Sequence, residues 1–272
     1  LVEWPVPLMG KIDDEFMDVP EEVLVSVMRT HQKYLALRDS EGQLAPRFIT
    51  IANIETADKG AKIIAGNERV VRARLSDARV FWDEDRKKNL SARKPELEKV
   101  TFHAKLGTVS DKTDRIEKLV AYFLEIESSF SFEDLSQNAS DEVASEAAAL
   151  CKADLVTGMV YEFPELQGIM GGYYAALQIG DDKVGNAIRD HYKPLGPNDA
   201  IPATSEGRLV AMADKMDTLA GFWLIDELPT GSKDPYALRR ASLGIIRMLI
   251  EGGRRLNLDG FIHAAMQNYP AS

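Results

Sequence analysis

An α+β part over residues 1–99, followed by an all-helical part over residues 100–272, is the fold class this sequence predicts. Three observations carry that division. The segment Arg47-Phe48-Ile49-Thr50-Ile51-Ala52 is rich in β-branched and aromatic residues and follows Pro46, the mark of a strand. Helical apolar spacing flanks it on both sides. From about residue 100 onward the 3.6-residue period dominates.

Pro20-Glu21-Glu22 places a proline and two acids in a first helical turn, where the backbone dipole favours them. Val23, Leu24, Val27, Met28 and Leu35 supply the apolar stripe that follows. Gly60 and Gly66 punctuate the next stretch. A second helix is predicted over residues 67–82, with Val71, Leu75, Ala78 and Trp82 on one face. Arg69, Arg72, Ser76 and Arg79 share the opposite face, with Arg74 nearby. The charged run 83–94 leads to Pro95 and has the character of a solvated connection. Ile116, Leu119, Val120 and Phe123 form a further stripe. Val143, Ala147 and Leu150 begin a helix predicted to run to about Val160, before Pro164 interrupts it. Residues 206–225 predict a long buried helix. The three prolines within 195–202 mark a loop. Asp234-Pro235 predicts the cap and first turn of a helix that reaches Ile250 and stops at Gly252-Gly253.

The 272 residues carry a formal net charge of −10 and an apolar fraction of 45%. That is enough apolar material for a sizeable core, and the acidity excludes a generic basic nucleic-acid coat. Any RNA contact must use a local basic face. Cys151 is the lone cysteine, so an intramolecular disulfide and a multi-cysteine zinc site are both excluded, and a reducing cytoplasmic compartment follows. No run approaches the roughly 20 apolar residues that span a bilayer. The start, Leu1-Val2-Glu3-Trp4-Pro5, has neither an initiator Met nor a signal-peptide pattern and suggests a segment of something longer.

Chemistry-bearing residues are scattered. His31, His103, His191 and His263 form no ligand cluster in sequence, and Cys151 has no adjacent activating base. Gly168-Ile169-Met170-Gly171-Gly172 lacks the Lys-Ser/Thr of a phosphate loop and suits close helix packing, with Tyr173 and Tyr174 as core or interface aromatics. Basic residues gather in three places. The first is the arginine face of Arg69, Arg72 and Arg79 with Arg74, offset by Glu68 and Asp77. The second is Arg86, Lys87, Lys88, Arg93 and Lys94, beside Asp83, Glu84 and Asp85. The third is Arg239, Arg240, Arg247, Arg254 and Arg255.

Five strings resemble the β subunit of the bacterial-type, two-subunit glycyl-tRNA synthetase. They are His31-Gln32-Lys33-Tyr34, Gly66-Asn67-Glu68-Arg69-Val70-Val71-Arg72-Ala73-Arg74-Leu75, Phe163-Pro164-Glu165-Leu166-Gln167-Gly168, Ala213-Asp214-Lys215-Met216-Asp217-Thr218-Leu219 and Pro229-Thr230-Gly231-Ser232-Lys233-Asp234-Pro235. They occur in the family's order across nearly the whole chain. The resemblance implies an internal fragment of a longer subunit. Residues 1–99 would belong to a portion similar to the B3/B4 region of phenylalanyl-tRNA synthetase, and residues 100–272 to a domain similar to HD-type metal phosphohydrolases. It further implies that an α subunit activates glycine with ATP and Mg, while the β subunit binds tRNA(Gly) and assembles with its partner. No cofactor is implied in this fragment, nor a membrane or DNA partner.

HD-type enzymes hold a divalent metal through an early His, a His-Asp pair and a later Asp. Laid onto this chain, the pattern puts Lys112 at the first His, Ala153-Asp154 at the pair and Asp214 at the last Asp. Both imidazoles are lost, and a cation at Lys112 would take the metal's place electrostatically. Non-catalytic tRNA binding and assembly is therefore the expectation. The rivals are an HD-type phosphohydrolase and an interaction scaffold without RNA contact. Residual editing of mischarged tRNA has no visible nucleophile or base to support it.

Overall fold

The computed structural model describes residues 2–129, 140–253 and 256–270. The chain forms two compact units, Leu1–Lys87 with Thr157–Leu166, and Lys88–Val156 with Gln167–Ser272. The first mixes helix and sheet and the second is dominated by helices, in line with the α+β and helical character predicted from the sequence.

In the first unit, β1 (Val6–Lys11), β2 (Leu35–Arg38) and β3 (Leu44–Ala52) form an antiparallel sheet in the order β1-β3-β2. The two-residue alternation sends Leu8 and Phe48 to the buried face, where Tyr34 stacks on Phe48 at 4.7 Å between centroids. α1 (Glu21–Ser26) continues as a π turn over Val27–His31, burying Val23, Leu24, Val27 and Met28. Leu35 does not extend that stripe. Lys33, at φ 58, takes the chain out of the helical path, and Leu35 enters β2 at 56% exposure.

α2 (Ala61–Asp85) is longer at both ends than its apolar pattern indicates. Asp58 accepts the N–H groups of Gly60 and Lys62, starting the helix early and leaving Gly66 inside it. At the other end, Asp85 is 5% exposed, not part of a solvated connection. Its carboxylate accepts Gly158 N–H at 3.0 Å and Met159 N–H at 2.8 Å. These donors open α6 (Gly158–Glu162), which completes this unit.

The second unit begins with α3 (Leu90–Arg93) and a small hairpin, β4 (Thr101–His103) and β5 (Gly107–Thr108). α4 (Val109–Ser129), α5 (Asp141–Leu150), α7 (Ile169–Ile179), α8 (Asp182–Asp190), α9 (Ser205–Leu224), α10 (Leu238–Glu251) and α11 (Leu258–Gln267) make up the rest. The helix begun at Val143 ends at Leu150 and does not run to Val160. A 3-10 turn, Ala153–Val156, and extended Thr157 intervene. α9 is the central element and packs against α4, α5, α8, α10 and α11. Thr204 caps it by accepting Gly207 N–H at 3.0 Å. Asp234 caps α10 from outside, accepting Leu238 N–H at 2.8 Å and Arg239 N–H at 3.0 Å, so Pro235 precedes the helix instead of entering its first turn. Among the described residues no helix is long and apolar enough to cross a membrane.

Two glycines give a paired test of packing. A Cβ on Gly185 would sit 2.7 Å from the Gly172 carbonyl, so α7 and α8 cross at a distance only glycine permits. A Cβ on Gly66 would meet nothing within 4 Å. Gly185→Ala is expected to destabilise the protein by about 1–3 kcal/mol. Gly66→Ala is expected to stabilise it by about 0.5–1 kcal/mol, because the unfolded chain has less freedom to lose. Chemical-denaturation midpoints moving in opposite directions would establish both.

Candidate functional site

The polar centre of the helical unit is built from two facing i, i+3 pairs. α4 contributes Lys112 and Arg115, and α9 contributes Asp214 and Asp217, all four buried. At this spacing both members of a pair lie on one helix face. Lys112 Nζ donates to Asp217 Oδ2 at 2.9 Å, Thr218 Oγ1 at 2.8 Å and the Asp214 carbonyl at 3.1 Å. It also lies 3.0 Å from Asp214 Oδ1, held there by charge without hydrogen-bond geometry. Arg115 Nε donates to Asp217 Oδ1 at 2.6 Å, and its guanidinium covers the Tyr269 ring at 4.1 Å.

The second carboxylate oxygen of Asp214 meets Lys152, whose Nζ donates to Oδ2 at 3.1 Å. Lys152 also contacts His191 Nε2 at 2.8 Å, and His191 Nδ1 lies 2.6 Å from the Ile188 carbonyl. A carbonyl can only accept and an ammonium can only donate, so His191 is neutral with its proton on Nδ1. Burial and the neighbouring Lys152 hold His191 well below its ordinary range. Burial alone would raise the Asp214 carboxyl, but Lys112 and Lys152 keep it well below the usual carboxylate range. Lys215, next along α9, donates to the Tyr192 carbonyl at 3.0 Å, and burial lowers it to about 8.

Of the HD-type positions, Lys112 and Asp214 meet, whereas Ala153 and Asp154 do not join them. Ala153 is fully buried and brings no polar group. Asp154 Oδ2 accepts Gly168 N–H at 2.6 Å and Gly171 N–H at 3.0 Å at the start of α7. Lys152 is the residue of this turn that reaches the centre. A lysine beside Cys151 in an apolar run was the available signal, since a buried ammonium requires a carboxylate. These residues do not fit a divalent metal. Two ammonium groups touch the one carboxylate that would bind it, and the nearest imidazole is already committed to Lys152. No group of three or more His, Cys, Asp or Glu able to hold a metal ion occurs among the described residues. Cys151 is equally unsuited to nucleophilic work, its thiol pushed by burial to about 12.

The arginine face lies on α2 in the other unit. Arg69 is exposed and makes no ion pair among the described residues. Arg72 forms a two-point pair with Asp13, and Arg79 lies between Glu15, Asp18 and Asp83 at 3.5–3.9 Å. Arg74 is 3.6 Å from Glu162. In the second cluster, Arg86 pairs with Asp83 and covers Trp82, Lys87 pairs with Glu84, Lys88 with Glu96, and Lys94 with Glu117. Arg93 is a correction: at 8% exposure it is inside the helical unit and unsuited to a surface contact. The cluster is also divided between the units at Lys87 and Lys88. In the third cluster, Arg247 pairs with Glu251 and Arg239 and Arg240 are exposed, while Arg254 and Arg255 lie outside the described residues.

The family model described as glycyl-tRNA synthetase beta subunit matches residues 1–272, and the chain belongs to that family. It is 53% identical to the glycine–tRNA ligase beta subunit of Rhodospirillum centenum over 272 residues, covering 100% of this chain and 37% of the relative. It is 54% identical to that of Phenylobacterium zucineum over 268 residues, covering 96% and 38%. With that of Pseudomonas fluorescens the identity is 48% over 271 residues, covering 100% and 38%. The chain thus spans little more than a third of the length of these relatives.

Two outcomes test this centre. Lys112→Ala leaves Asp214 and Asp217 short of a cation and is expected to cost roughly 3–5 kcal/mol of stability, read from denaturant unfolding. Burial, opposed by the Gly168 and Gly171 N–H groups, raises the Asp154 carboxyl from its ordinary range to about 6. Because the folded value is the higher one, the folded state holds this proton more tightly. Its contribution to stability is full below about pH 4 and declines as pH rises through about 6, by about 3 kcal/mol in total. Asp154→Asn, which keeps an acceptor, should remove that slope, so the stability difference from wild type shifts in the variant's favour between pH 4 and pH 7.

Proposed function

We propose that this chain is a non-catalytic region of the β subunit of a glycine–tRNA ligase, contributing tRNA(Gly) binding and assembly with an α subunit that activates glycine using ATP and Mg. Family membership over all 272 residues is the observation that carries this reading. The lysine-filled centre supports it, because Lys112 and Lys152 put positive charge on Asp214 where a divalent metal would need it free. In the same reading, the B3/B4-like portion expected over residues 1–99 corresponds to the first unit, 1–87 with 157–166, the HD-like domain expected over 100–272 corresponds to the second, and the protein works in the cytoplasm.

For tRNA we favour the face of Arg69, Arg72 and Arg79, with Arg74, and with Arg86 and Lys87 as its extension just beyond the end of α2. The apolar back of this helix is anchored by Val71, Leu75, Ala78 and Trp82. Guanidinium groups on a rigid helix meet phosphates with little ordering cost. Their present partners are surface carboxylates, and exposed pairs of that kind are worth only about 0–1 kcal/mol. A phosphate can therefore displace Asp13 from Arg72, or Glu15 and Asp18 from Arg79. Such contacts position RNA without reading its sequence.

In the two-subunit enzyme, replacing Arg69, Arg72 and Arg79 by Ala is expected to weaken tRNA binding. The log–log salt slope should fall by about 0.7–0.9 for each phosphate that the variant no longer neutralises. Replacing Asp13, Glu15 and Asp18 by their amides should act in the opposite direction and tighten binding. Titrations across a salt series measure both. A folded triple-alanine enzyme with wild-type affinity and slope would make this an ordinary solvated helix face.

A further inference from the structure

The helical unit carries a second apolar surface where α9, α10 and α11 come together. α10 buries Leu238, Ile245 and Met248, but Leu243, Ile246 and Ile250 lie outward at 58%, 46% and 74% exposure. Those three follow each other at i, i+3 and i+7, the spacing of a complete second helix face. Trp223 on α9 stands 53% exposed, and Leu258 and Ile262 on α11 are exposed one turn apart. Together these helices form a groove of about 380 Å³ whose walls include Leu219, Trp223, Ile246, Leu258, Ile262 and Met266. Among the described residues of its lining, Ser242 is the only one that bears a hydroxyl or a charge. The exposed apolar stretch on α10 runs about two turns, roughly 10 Å, and that on α11 about one turn, roughly 6 Å.

We propose that this groove seats an amphipathic helix supplied by the same β subunit, from the part that lies outside these 272 residues. This rests on membership of the family and not on the tRNA reading. The matched relatives extend far beyond the aligned region, which takes up only 37–38% of their length, so each has ample chain to provide the helix. The lining has the character of a protein interior. Surfaces that meet exchangeable partners carry a polar rim and more polar contacts, whereas a lining this apolar suits an element that covers it permanently. A helix on the same polypeptide also has an effective concentration in the millimolar range, so it outcompetes a free partner of similar affinity. The occupant would present apolar residues at i, i+3 or i+4 and i+7, filling the space between Trp223, Ile246 and Ile262.

Thiol mapping of the full-length β subunit tests this. Ile246→Cys and Ile262→Cys place thiols on two walls, and Tyr161→Cys, at a residue 86% exposed, provides an open reference in the other unit. Maleimide labelling is read residue by residue by mass spectrometry, after a thermal melt confirms that each variant is folded. The groove thiols are expected to react at least tenfold more slowly than the reference, in the β subunit alone and at every protein concentration. Protection that arises only when the α subunit is added would overturn the proposal and make the groove an intersubunit interface. Protection that arises only at high concentration would overturn it in favour of a second copy of the chain. Rapid labelling of both groove thiols in all three conditions would overturn it by showing an open surface. If these variants lose fold, hydrogen exchange of the wild-type α10 and α11 in the same three conditions gives the same discrimination.

Discussion

The facing pairs Lys112–Arg115 on α4 and Asp214–Asp217 on α9 fix the arrangement on which the helical unit depends. Four ionised groups cannot leave water singly, because the desolvation of each exceeds any one attraction. They are tolerable only when every charge has several partners, and that requirement holds α4 and α9 in one register. Lys112 donates to three oxygens, Asp214 faces two ammonium groups, and Arg115 stacks on Tyr269. Lys152 and His191 take their positions from the same demand. Such a network is weak evidence for added stability, since a well-packed apolar centre could match it. What it supplies is a penalty on every misaligned alternative.

That constraint also explains which features can be read along the chain. Apolar stripes, the strand at 47–52 and the buried helix ending near 225 are local patterns, and the structure contains each. The extent of α2 is not local. Its last residue, Asp85, is buried because it meets N–H groups 73 and 74 residues later, and no window around 83–94 contains them. The break after Leu150 has a similar origin, with Asp154 drawn to Gly168 and Gly171. Lys112 and Asp214 are separated by 102 residues and become a pair only through a family resemblance or a structure. Lys152 and His191 show no periodicity at all.

The arginine face shows the same limit in reverse. Its shared face is legible from spacing alone, but its electrostatic state is set by Asp13, Glu15 and Asp18, which precede the helix by many residues in sequence. In a chain of net charge −10, carboxylates are numerous enough to occupy exposed guanidinium groups. The basic residues are then not a permanently positive patch. They are a set of weak, exchangeable pairs whose field strengthens where a polyanion displaces the acids.

The return of Thr157–Leu166 to the first unit bears on how the chain is made. Residues 1–87 leave the ribosome before residues 157–166, so the backbone groups that Asp85 needs are synthesised 73 residues later. At 5–20 residues per second that interval lasts ~4–15 s. Throughout it the nascent first unit holds a carboxylate whose N–H donors do not yet exist, and it lacks α6. Completion of this unit waits for a stretch encoded inside its neighbour, so the two units mature in an interleaved order and not one after the other.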